Sequence, residues 1–124
     1  MKTEEIALSC ITENEENPRT ITTEKFQKLV KSILVFPRML TLRPIVVDET
    51  FKVLGGNMRL KALRHITTMQ DDEILAKLEE DTRLTEAERN LAIAYWRLWQ
   101  EKPTATIVKA DDLTEAQKRE FIIK

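Results

Sequence analysis

The stretch that decides the fold is Arg43-Pro44-Ile45-Val46-Val47-Asp48-Glu49-Thr50-Phe51-Lys52-Val53-Leu54-Gly55-Gly56-Asn57-Met58-Arg59-Leu60-Lys61-Ala62-Leu63. Ile45, Val46 and Val47 are β-branched and follow a proline. Asp48-Glu49-Thr50 interrupts the apolar run and Phe51 to Leu54 resumes it, so the stretch predicts a hairpin. Gly55-Gly56 ends the second strand. Leu60 and Leu63, with Ala62, then fall at helical spacing, and Asn57 is the candidate cap of the helix they define. A glycine pair before a helix admits a ligand close to the backbone and leaves outward N–H groups, which together make an anion site. Arg59 and Lys61 add positive charge there. The same two glycines would also serve as a plain turn, and spacing alone does not choose between the readings.

Working outward, Ile6, Leu8 and Ile11 among short polar residues predict a first strand within 5–11, ending near Cys10. A polar loop follows, carrying Asn17-Pro18-Arg19, whose proline would hold Arg19 outward on a stiff turn; Arg19 could equally pair with Glu15 or Glu16. Thr22 or Thr23 starts a helix with Phe26, Leu29, Val30 and Ile33 on its apolar side. Lys25, Lys28 and Lys31 recur on another face, as a solvated surface or as a track for a nucleic-acid backbone. This helix stops before Phe36-Pro37, because the residue before proline avoids helical geometry. Met39 to Leu42 lead into the hairpin, with Arg43 at its mouth facing the same side as Arg59.

Beyond Ile66, Asp71-Asp72-Glu73 with Ile74, Leu75 and Leu78 predict a short helix whose acidic first turn suits the helix dipole. Thr85-Glu86-Ala87-Glu88 is a capping box ahead of a longer helix containing Leu91, Ala92, Tyr95, Trp96, Leu98 and Trp99. The helical spacing and acidic surroundings of its aromatic residues favour core packing over base stacking. Thr104 to Val108 form the last strand, and Asp111 to Gln117 read as a turn into a second capping box.

The 124 residues make one domain, with 42% apolar and 33% charged residues, as in an ordinary globular protein. No apolar run approaches membrane-spanning length and the first residues lack the form of a signal peptide, so the expected location is the cytoplasm with no membrane partner. Cys10 is the only cysteine and His65 the only histidine, which excludes an internal disulfide and leaves a histidine-based metal site or triad without partners. A lone cysteine with apolar neighbours is read as packing. Residues 17–66 carry ten basic and three acidic side chains, while the segments on either side are each net acidic. The basic segment coincides with the candidate anion site, as phosphate binding would require.

Asn17-Pro18-Arg19, Ser32-Ile33 followed by Phe36-Pro37, Arg43-Pro44-Ile45-Val46-Val47 and Leu54-Gly55-Gly56-Asn57-Met58-Arg59-Leu60-Lys61-Ala62 together resemble the N-terminal domain of ParB-like proteins, in the superfamily that also contains sulfiredoxin. Leu113-Thr114 through Phe121-Ile122-Ile123 is similar to the helix after that family's last core strand. The resemblance spans roughly residues 4–66 and 104–124. It implies an α/β (α+β) fold, a small mixed sheet of about four strands with packed helices, in which 67–103 is a helical hairpin insertion. It further implies nucleotide phosphates bound at a helix start. Gly55, Gly56 and Arg59 match that motif, Asn57 and Met58 complete it, and Arg19, Arg43 and Pro44 lie toward the same pocket. The implied ligand is a nucleoside triphosphate, CTP or ATP, with Mg, and it is not required for folding. In this family an acidic residue and Asn would follow beyond Lys124 and contribute to the site.

Two departures bear on chemistry. Sulfiredoxin has its reactive cysteine where this chain has Asn57, and an amide cannot act as a thiolate nucleophile, so sulfiredoxin activity is excluded. ParB and its kinase-like relatives have Glu at that position, and Asn cannot take up a proton in its place, which argues against hydrolysis or phosphoryl transfer through it. The expected function is a nucleotide- or phosphate-binding domain of a DNA-associated protein, weakly catalytic or non-catalytic, with no catalytic residue assigned. Glu24, Asp48 and Glu49 are too scattered for a nuclease metal centre. The alternatives are a scaffold using the helical insertion for a protein partner or self-association, and a non-specific DNA-binding or nuclease domain.

Overall fold

The computed structural model describes residues 3–14 and 22–110. Arg19, Asp111-Asp112 and the helix expected from Leu113 lie outside them. The fold is mixed α/β, with four strands in one sheet and five α-helices among the described residues.

The sheet runs β1 (Thr3–Ala7), β4 (Thr104–Lys109), β2 (Ile45–Val47), β3 (Val53–Gly55) in spatial order. β1 and β4 are antiparallel, β4 and β2 parallel, β2 and β3 antiparallel. The expected hairpin is therefore β2–β3. Its turn is closed by Asp48, whose Oδ1 accepts from Thr50 N at 2.8 Å, Thr50 Oγ1 at 2.6 Å and Lys52 N at 3.0 Å. That is ordinary Asx-turn chemistry, and it lets Phe51 take a positive φ of 66°.

The first strand is shorter than the apolar pattern predicts. β1 stops at Ala7: Leu8 N still donates in register to Pro103 O, but Pro103 has no N–H to return, and the chain winds through one 3-10 turn, Leu8–Cys10, that sends both Leu8 and Ile11 into the core. Cys10 sits on the outside of this turn and is exposed, so it does no packing.

Helix α1 (Thr23–Val35) is capped by Thr22, whose side chain accepts from Lys25 N, and it ends at Phe36 ahead of Pro37 as the proline dictates. Met39–Leu42 is a single helical turn, α2, that delivers Arg43 to the start of β2. α3 spans Asn57–Ile66, α4 Asp71–Glu79 and α5 Glu86–Glu101. Val30, Ile33 and Leu34 of α1, Leu60, Leu63 and Ile66 of α3, and Ile74 and Leu78 of α4 are buried against Ile45, Val47 and Ile107 of the sheet.

α5 fastens this assembly with side-chain donors. Trp96 is fully buried and gives its indole N–H to Leu34 O at 3.0 Å, Trp99 gives its own to Thr104 O at 2.9 Å, and Gln100 Nε2 donates to Ile66 O and Met69 O, both at 2.8 Å. The carbonyls left over at the ends of α1 and α3 are thereby satisfied from one helix. Only part of the apolar content of α5 takes part. Trp96 and Trp99 are core, as their spacing predicts, whereas Tyr95, Leu91 and Leu98 are exposed, because a helix seated on one side can bury little more than one stripe.

Candidate functional site

Two chain entries meet at one end of the hairpin. The β2–β3 register sets Gly55 beside Val46, so Arg43-Pro44, which leads into β2, lies next to Gly55-Gly56, which leads out of β3. Gly56, not Asn57, occupies the N-cap of α3, in the left-handed region at φ 99°. That conformation favours glycine, and it leaves the helix start without a capping side chain. Asn57 is instead the first helical residue. Its buried side-chain Oδ1 accepts from Asn14 N at 3.4 Å, which ties α3 to the segment after β1.

Arg59, one turn into α3, folds back toward the helix start, as helical side chains lean. Its Nη2 donates to Pro44 O at 3.3 Å, and the guanidinium lies across Gly56 so closely that a Cβ there would stand 2.8 Å from Nη2. Gly56 is thus favoured for its φ, and a side chain there would make the Arg59 guanidinium shift. Among the described residues the buried Arg59 Nε has no hydrogen-bond partner. Burial, and then the like charge of Arg43, lower the Arg59 pKa from its ordinary value. Arg43 itself is exposed at the C-terminal end of α2. Met58 is half-buried beside these groups.

The first turn of α3 contains no acidic residue, and its opening N–H groups, the Arg59 guanidinium and the Arg43 charge converge on the same end of the helix. Such an arrangement of donors and positive charge, with no carboxylate in the first turn of α3, is suited to an anion with several oxygens. No group of three or more His, Cys, Asp or Glu able to hold a metal ion occurs among the described residues.

No protein-family profile matches the chain, and no curated protein matches it. The site therefore rests on its own geometry.

That geometry joins Gly55, Gly56, Asn57, Met58, Arg59, Arg43 and Pro44 in one place, and Arg19 lies outside the described residues. Asn14 is the contributor that sequence reading missed, since its link to Asn57 crosses 43 positions and has no local pattern to reveal it. The lysine face of α1 is different in kind. Lys28 approaches Glu24 at 4.0 Å, and Lys28 and Lys31 share a depression with Glu24, Lys77 and Glu80, so that surface is of mixed charge. His65 packs edge-on against Phe26, with ring centroids 5.8 Å apart. Among the described residues no helix is long and apolar enough to cross a membrane.

Proposed function

We propose that this domain binds the phosphates of a nucleotide, CTP or ATP, at the start of α3, in the manner of a ParB-like module of a DNA-associated protein. The observation that carries the reading is Arg59, partly withdrawn from water beside Arg43, with one buried donor unpartnered among the described residues. Two arginines facing one another cost free energy in the free protein, and a phosphate dianion between them would offset that cost while taking up unused donors. Gly56 keeps the backbone N–H groups of the first turn open to the same ligand. Asn57 carries an amide that cannot accept or release a proton in the relevant range, so the domain is proposed to hold its ligand and not to cleave it.

Calorimetric titration with CTP, ATP and their diphosphates, with and without magnesium, tests this on native protein, Arg59→Ala and Arg64→Ala. Loss of the Arg59 contacts should weaken binding by about 1.5–3 kcal/mol, or roughly ten- to a hundredfold in Kd. Arg64→Ala should leave Kd nearly unchanged, since that arginine is engaged by Ile11 O at 2.7 Å and Glu13 at 3.2 Å. Equal binding by native protein and Arg59→Ala, or no heat from any of the four ligands, would sink the assignment.

A further inference from the structure

Helix α5 has two apolar faces, and the fold uses one of them. Trp96 and Trp99 face inward, whereas Leu91 is 72% exposed, Leu98 71% and Tyr95 47%. Ala87 and Ala94 are exposed as well. Ala87, Leu91, Ala94 and Leu98 follow one another at spacings of four, three and four, the a/d pattern of a two-helix seam, and small residues within a seam let two helices approach closely. The apolar surface extends past the helix. Tyr95 and Leu98 line one depression with Trp99, Glu5 and Lys102, and Tyr95 borders a second, more polar one with Glu5, Pro37 and Thr41, flanked in the chain by exposed Phe36 and Leu42.

What covers this face is indicated by its charges. Glu88 lies on the same side of α5 as Leu91, Tyr95 and Leu98, seven residues before Tyr95, and Lys102, the residue that ends the helix, follows seven after it and lines a depression with Tyr95 and Leu98, where Glu5 and Glu101 also stand. The order acid, Leu, Tyr, Leu, base is self-complementary under a two-fold axis near Tyr95. Antiparallel packing would set Leu91 near the partner's Leu98, Tyr95 near the partner's Tyr95, and Glu88 near the partner's Lys102. It would also oppose the two helix dipoles favourably. A parallel pair would stack Glu88 on Glu88 and Lys102 on Lys102, and like charges so placed repel.

The geometry points to a homodimer built by antiparallel packing of α5 on α5 of a second copy of this chain. It is independent of the phosphate site. Sixteen residues give about 24 Å of helix, so the contact lies near the lower bound of specific interfaces, about 1,000 Å². Association should accordingly be reversible and depend on concentration.

Sedimentation equilibrium of the full chain, from low micromolar to near-millimolar concentration, should show a monomer–dimer equilibrium. Leu98→Glu, which alters an exposed position, should weaken it roughly tenfold or more, because the new carboxylate would be buried unpaired in the contact, while the melting temperature holds. A monomer at every concentration, or a Leu98→Glu variant that dimerises like the native protein, would overturn the proposal. Register is tested in a Cys10→Ser background under mild oxidation. Tyr95→Cys should form a disulfide-linked dimer and Lys102→Cys should not. Cross-linking at both positions, or at neither, would contradict the antiparallel arrangement.

Discussion

At the start of α5, Glu88 N donates to Thr85 Oγ1 at 3.1 Å and Thr85 N donates to the Glu88 carboxylate at 2.9 Å. At the start of α3 the equivalent position is Gly56, with no side chain to give, and the residue three places on is an arginine instead of a glutamate. The first design closes a helix: its orphan donors are used, and its carboxylate would repel an incoming anion. α4 follows the same plan, with Glu73 accepting from Gln70 N at 3.1 Å. The second design leaves the helix start open and lines it with positive charge. Arg64, on the same α3, sharpens the contrast, since it is partnered by a carbonyl and a carboxylate while Arg59 has a carbonyl for one nitrogen and nothing for another. An uncapped helix start with an under-partnered cation is the feature on which the proposed phosphate site rests.

The strongest way to break this comparison is to close the open end. Gly56→Ala forces an L-residue into the left-handed region and should destabilise the domain by about 1–2 kcal/mol. Its Cβ would also push the Arg59 guanidinium off Pro44 O. Denaturant unfolding measures the first effect and phosphate titration the second. An alanine tolerated without loss of either stability or binding would mean that the start of α3 relaxes freely. The reciprocal change, Thr85→Ala, removes one half of the α5 capping box and should cost about 1 kcal/mol of stability, with ligand affinity untouched. A change in affinity for that variant would show that the two helix starts are coupled.

Much of this arrangement was legible in the chain. Ile45 to Leu60 declares hairpin, glycine break and helix through β-branching and then spacing, because each signal is local. Thr85 and Glu88 announce their box for the same reason. What local pattern could not supply was the partner of each side chain. Asn57 reads as a cap by residue type, yet a buried contact with Asn14 and the φ of Gly56 move the cap back by one residue. The apolar residues of α5 read as one core set, and only the seating of Trp96 under Leu34 O decides that Leu91, Tyr95 and Leu98 are left outside. Ile6, Leu8 and Ile11 read as one strand, but Pro103, opposite Leu8, has no N–H with which to continue the ladder.

The smallest effect separates compensated from uncompensated charge by pH. Between α4 and α5, Asp81 is buried and receives Arg83 Nε at 2.9 Å, Nη2 at 2.8 Å and the Arg83 backbone N–H at 3.0 Å. The side-chain and then the backbone hydrogen bonds of Arg83 hold its carboxyl down to about 2, against the opposing pull of burial. An unfolded Asp titrates near ~3.9, so the folded pKa is the depressed one. The stabilisation is then fully present above about pH 4 and lost as pH falls toward 2. Glu88, held below its usual range by the Thr85 backbone N–H, acts in the same sense. Asp81→Asn should therefore flatten the decline of stability between about pH 4 and pH 2 relative to native protein, followed by urea unfolding at each pH. Arg59 remains charged throughout that window, so Arg59→Ala should shift the curve without changing its slope. A native curve parallel to that of Asp81→Asn would show the Asp81–Arg83 pair to be as idle energetically as an exposed contact, and the comparison would then rest on the two helix starts alone.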